Sequence, residues 1–184
     1  LSYSAACERF AELLESSVAL RMRSDVPVGS CLSGGLDSSA IVCVAHGLRR
    51  KSGGGSPFHT FTAGNEDAAA DERRYAAIVN RATDSRPNLT VPTCDGFLSE
   101  LDRLVWHQEQ PFTTPSIYAQ WCVMRAARES SIPVLLDGQG ADEGLCGYRK
   151  YYALRLIGLL KSGRLGTALS EAASLLTPGD RGFV

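Results

Sequence analysis

Ser33-Gly34-Gly35-Leu36-Asp37-Ser38-Ser39 packs two glycines, three hydroxyls and a carboxylate into seven residues. Before it, Pro27 starts the short run Val28-Gly29-Ser30-Cys31-Leu32, which reads as a buried strand. After it, the chain continues from Ser38 to His46 as a helix. A second segment of the same kind lies about a hundred residues on. There Ile132-Pro133-Val134-Leu135-Leu136, a buried strand, feeds Asp137-Gly138-Gln139-Gly140-Ala141-Asp142-Glu143.

The first segment has the composition needed to hold a polyphosphate and its metal ion. Gly34 and Gly35 let backbone amides approach an anion, and the following helix aims its positive N-terminus at the same place. Ser33, Ser38 and Ser39 add hydroxyl donors. Asp37, in the first turn, would repel a bare phosphate unless a cation lies between them. Magnesium resolves that conflict, being bound by one or two carboxylates plus phosphate oxygens. Asp142 on the second loop could supply the other carboxylate. The plainer reading is that such turns make tight strand-to-helix connections and Asp37 merely begins a helix; two matching loops in one chain weigh against it. No lysine follows the glycines, so this is neither Gly-x4-Gly-Lys-Ser/Thr nor Gly-x-Gly-x-x-Gly. Cradling a departing pyrophosphate during attack at the α-phosphorus suits it better than γ-phosphoryl transfer.

Working outward, Phe10, Leu13, Leu14, Ser17, Val18 and Arg21 recur at helical spacing over residues 4–23. Residues 51–57 read as a flexible linker, and 58–63 alternate like a strand. A helix over 71–82 is expected to carry Tyr75, Ile78 and Val79 on one face. A short strand at 89–91, a helix over 97–107 and another over 116–129 follow. From Tyr148 onward the pattern is helical, with Leu154, Ile157, Leu160, Leu165, Leu169, Leu175 and Leu176 among its apolar positions. Alternating strands and helices predict an α/β fold, a parallel sheet with helices on both faces and ligands at the carboxyl ends of the strands.

At 184 residues, 44% hydrophobic and 21% charged, the chain has globular composition. Nineteen basic and twenty acidic residues give a net charge of −1, which argues against nucleic acid as the main partner. Arg21-Met22-Arg23 and Arg49-Arg50-Lys51 read as solvated helix ends. Six scattered cysteines resemble neither a disulfide framework nor a zinc site. Cys31, Cys43 and Cys122 sit in apolar runs and are expected to be small buried hydrophobes, which points to a reduced, cytoplasmic protein. No apolar run approaches the ~18–20 residues of a membrane span. His46, His59 and His107 share no metal-like spacing. The chain opens on Leu1 and ends at Gly182-Phe183-Val184, so both ends read as cut from something longer.

The residues from Ser33 to Ser39 match the pyrophosphate loop of the N-type ATP pyrophosphatases. The longer string from Arg23 to Ser39, with Leu135 to Glu143 and Gly147-Tyr148, resembles the synthetase domain of glutamine-dependent asparagine synthetases. The likeness spans roughly residues 4–152. It implies an adenine nucleotide alpha hydrolase-like domain over 1–152, with 153–184 a helical continuation of the same domain, truncated. It implies ATP and magnesium, with Asp37 and Asp142 as catalytic metal ligands. Ser33, Gly34, Gly35, Ser38 and Ser39 would hold pyrophosphate. Leu32, Ala63, Asp137 and Gly138 fall where the family contacts adenosine and ribose, mostly through backbone groups. In such enzymes the β-carboxylate of aspartate attacks ATP to give β-aspartyl-AMP, which ammonia converts to asparagine. The ammonia would come from a glutaminase domain outside this chain, since no cysteine stands at its N-terminus. A homodimer is a further expectation.

Two departures from the family pattern keep alternatives open. Many members carry Glu where this chain has Gln139, a carboxylate implicated in forming or using the acyl-adenylate. A later family lysine has no counterpart among Lys51, Lys150 and Lys161. A β-lactam-forming synthetase, a specialised amidotransferase acting on another acid, or an ATP-binding module without turnover are the rivals. A tRNA-thiolating relative fits less well, given the near-neutral charge and unpaired cysteines. Glu109-Gln110-Pro111 and residues 116–120 could shape an acceptor pocket or simply pack.

Overall fold

Short aliphatic and β-branched runs, separated by amphipathic helices, build one sheet of four parallel strands. A computed structural model of the chain describes residues 2–53, 56–65, 67 and 71–176. The chain divides into two units, Leu1–Gly138 and Gln139–Val184. The first runs α1 (Tyr3–Arg21), β1 (Val28–Cys31), α2 (Leu36–Lys51), β2 (His59–Ala63), α3 (Arg73–Thr83), β3 (Arg86–Thr90), α4 (Cys94–Gln108), α5 (Ser116–Glu129) and β4 (Val134–Leu136). The order β3-β2-β1-β4 means that the chain steps outward from β1 through β2 to β3. It then returns to lay β4 on the other side of β1. Reversal of direction therefore falls between β1 and β4.

Strand alternation sorts the core onto two faces. On one face Leu32, Phe58 and Leu136 pack with Val42 and Ala45 of α2, Ala76 of α3 and Val18 of α1. On the other, Phe61 meets Val123 and Ala127 of α5, with Ile132 beside them. Outside α5, Leu104 of α4 packs on Tyr118 and Cys122. Each fully buried Val, Leu or Phe of this kind contributes roughly 1.5–3 kcal/mol. These layers are the α/β architecture the sequence predicts, with helices on both sides of a parallel sheet.

Several local expectations shift. The α2 helix begins at Leu36 and β3 extends back to Arg86, while β4 starts only at Val134, just after Pro133, which lacks an N–H. Pro87 is tolerated because β3 is an edge strand. The α3 helix buries Ala76, Asn80 and Thr83, whereas the expected Tyr75 and Ile78 are 45% and 60% exposed. Buried polar side chains with partners invert the apolar pattern there: Thr60 Oγ1 donates to Asn80 Oδ1 at 2.6 Å. In α1 only Val18 is buried, and Phe10 and Leu13 stay exposed. Cys122 is buried and Cys31 half-buried, but Cys43 is exposed on α2. Gly54 and Gly55, the centre of the expected linker, lie outside the described residues, as do residues 177–184.

The second unit holds α6 (Ala141–Leu145), α7 (Arg149–Lys161) and α8 (Leu165–Leu176). Leu159 and Ala168 are its buried apolar side chains among the described residues, and Arg155 bridges α7 to Glu171 of α8 at 3.0 Å. Leu154, Ile157, Leu160, Leu165, Leu169 and Leu175, apolar positions of the expected helical pattern, are exposed.

Candidate functional site

Ligands of open parallel sheets bind beyond the strand ends where the strand order reverses. Here that position lies beyond β1 and β4, where the first glycine-rich segment and Asp137-Gly138 leave their strands. The β1 loop is held by its own hydroxyls. Ser33 Oγ accepts from the Gly35 N–H at 3.1 Å and hydrogen-bonds Ser38 Oγ at 3.1 Å, while Ser38 Oγ reaches Gly35 O at 3.3 Å. Gly34 has φ +96°, a conformation that L side chains rarely adopt. A Cβ there would stand 2.9 Å from Ala76 N, Glu72 O and Tyr75 Cβ. The loop therefore lies directly against the start of α3.

Gly35 is the N-cap of α2, and no side chain caps that helix. A sixteen-residue helix thus presents first-turn N–H groups and the positive end of its dipole to the crevice. Asp37 is half-buried in that turn and Ser38 is buried. From the other loop, Gly138 closes in: a Cβ there would lie 3.1 Å from Ser38 N and 3.2 Å from Asp37 Cβ. Any larger residue would cover the helix N-terminus. The arrangement fits a phosphate chain with a cation beside Asp37.

Leu32 directly follows β1, and Ala63 ends the adjacent β2. Leu32 N–H donates to Phe61 O at 2.8 Å, and Thr62 Oγ1 donates to Leu32 O at 2.7 Å. The structure thus gathers Leu32, Ser33, Gly34, Gly35, Asp37, Ser38, Ser39, Ala63, Asp137 and Gly138 at one edge of the sheet. Asp142 belongs to the second unit. There it lies in α6, exposed, with its backbone carbonyl accepting from Gly147 N–H at 2.9 Å. Its Oδ1 lies in the space that a side chain on residue 147 would take. Beside it Tyr148 donates to Glu143 Oε1 at 2.6 Å; that bond holds the Glu143 carboxyl below the usual range and pushes the Tyr148 phenol up to about 12. Among the described residues no group of three or more His, Cys, Asp or Glu could hold a metal by itself. A pair of carboxylates completed by phosphate oxygens is the arrangement that suits magnesium.

Sequence reasoning missed the contribution of α3. Arg73 lies along Gly64 at the end of β2 and pairs with Asp71 at 2.6 Å. Against desolvation, the hydrogen bonds and charge of Arg73 hold the Asp71 carboxyl below its ordinary value. The signal was Asp71-Glu72-Arg73 shortly after a strand, which reads equally as an ordinary helix start.

Comparison with known proteins bears on this geometry. The Asparagine synthase family model matches residues 9–181. A protein of Mycobacterium tuberculosis, provisionally a glutamine-hydrolysing asparagine synthetase, is 38% identical over 141 residues, 76% of this chain and 20% of its own length. Glutamine-hydrolysing asparagine synthetase 1 of Bacillus subtilis is 34% identical over 178 residues, 93% of this chain and 26% of its own. An amidase of Penicillium rubens is 29% identical over 150 residues, 77% and 22% respectively. The chain spans about a fifth to a quarter of the length of these relatives. With a family model covering nearly all of it and a glycine-rich crevice at the sheet's reversal point, this chain belongs to the asparagine synthase family.

Proposed function

We propose that this chain carries the ATP-binding and adenylating centre of an amide-forming ligase. The observation that supports it most is the approach of Gly138 to Ser38 N. It brings the loops after β1 and β4 together over an uncapped helix N-terminus. Ser33, Gly34, Gly35, Ser38 and Ser39 would bind the β- and γ-phosphates, the pyrophosphate that departs, through hydroxyls and backbone N–H groups. Leu32, Ala63, Asp137 and Gly138 would take the nucleoside. Magnesium, held by Asp37 and Asp142 with phosphate oxygens, would neutralise the triphosphate and the departing pyrophosphate.

In the reaction a carboxylate oxygen of the acceptor, the β-carboxylate of aspartate in the first reading, bonds to the α-phosphorus. The α–β phosphoanhydride breaks and pyrophosphate leaves. Ammonia, from a glutaminase domain outside this chain, then attacks the acyl carbon, loses a proton and expels AMP. The chain's residues act mainly by positioning and by electrostatics aimed at the leaving group. Gln139 favours a second reading, a related amidotransferase acting on another acid, because a neutral amide cannot serve as a base. The six cysteines are all free, which fits a cytoplasmic location.

Exchange of labelled pyrophosphate into ATP, measured on the full-length protein with a panel of carboxylates, tests this reading. Exchange that depends on one acid is expected and identifies the acceptor. Tight magnesium-ATP binding without exchange for any acid would instead mark an ATP-binding module without turnover.

A further inference from the structure

We propose that the Cys31 thiol is a positioning residue, holding the Asp137 carboxylate at the carboxyl edge of the sheet and so setting affinity for the nucleoside end of ATP. This rests on the ATP-binding reading above. The parallel register pairs Ser30 with Leu136, so the next residues, Cys31 and Asp137, are cross-strand neighbours. Alternation puts them on one face. Cys31 and Leu135 both pack toward α5 with Phe61 and Val123, and Asp137 follows Leu135 by two positions. Cys31 is half-buried while Asp137 is exposed. Burial first, then the Asp137 charge and a hydrogen bond to its carboxylate, push the Cys31 thiol up to about 12, so it stays a protonated donor.

An exposed carboxylate on a loop otherwise samples several rotamers, and fixing it in advance removes an ordering cost from ligand binding. Gly138 follows immediately and touches the α2 N-terminus, so the angle of Asp137 is set beside the phosphate cradle. Serine in place of Cys31 would keep the donor, whereas alanine or valine would not.

Equilibrium binding of magnesium-ATP to the full-length protein tests this, with thermal melting as a check on folding. Cys31→Ala and the volume-preserving Cys31→Val are expected to weaken binding about fivefold, the scale of one ordinary net hydrogen bond. Cys31→Ser should bind within about twofold of the wild type, and Cys31→Ala should add no further loss to Asp137→Ala. Wild-type affinity in both donor-free variants, a Cys31→Ser as weak as Cys31→Ala, or an equal penalty in the Asp137→Ala background would overturn the proposal. If the wild type binds ATP and Asp37→Ala abolishes that binding while Cys31→Ala is silent, this inference alone fails. A wild type that binds no ATP removes the functional reading with it.

Discussion

Gly34 shows how a single residue carries both fold and site. Its φ of +96° and the closeness of Ala76 N, Glu72 O and Tyr75 Cβ leave no room for a methyl group. Gly34→Ala is expected to cost about 1–3 kcal/mol from backbone strain alone, with more from displacing α3. A urea denaturation midpoint measures that loss, and an unchanged midpoint would show that the loop relaxes freely. At this scale the sequence was readable where the chemistry is local. Gly34, Gly35, Asp37, Ser38 and Ser39 sit within one turn, so their composition alone announces an anion cradle. Arg73 at the end of β2 and Cys31 beside Asp137 were not readable, because strand register and helix docking bring each pair together.

Between elements, buried polar bonds fix the docking of helix on sheet. Thr60, fully buried on β2, donates to Asn80 of α3, itself 8% exposed. Asn80→Ala would leave the Thr60 hydroxyl without its acceptor, at a cost of about 1–3 kcal/mol. Adding Thr60→Val should recover much of that, because removing both partners is far cheaper than orphaning one. Chemical denaturation of the single and double variants reads this directly; equal losses in both would mean that the bond contributes little. The same bond explains why α3 was misread. Periodicity assigns the inner face to Tyr75, Ile78 and Val79; Val79 does pack against the core, but the buried residues are Ala76, Asn80 and Thr83. By contrast, α5 runs over 116–129 as its pattern predicts, because Tyr118, Cys122, Val123 and Ala127 are the buried residues and are mostly apolar. Leu159 apart, most α7–α8 leucines carry helical spacing without burial, so spacing alone reported helix but not which face is covered.

For the whole molecule, strand order explains why distant segments converge. The chain reverses between β1 and β4, and the loops that leave these strands carry the glycines and the carboxylates. The functional proposal reaches further: one magnesium ion on ATP would be held by both Asp37 and Asp142. Equilibrium binding of ATP to the full-length protein, with and without magnesium, for Asp37→Ala, Asp142→Ala and the double variant, tests it most directly. A shared ion predicts that each single substitution removes the magnesium-dependent part of the affinity and that the double variant is no weaker than either single. Magnesium-dependent affinity that survives either substitution, or losses that simply add, would contradict it.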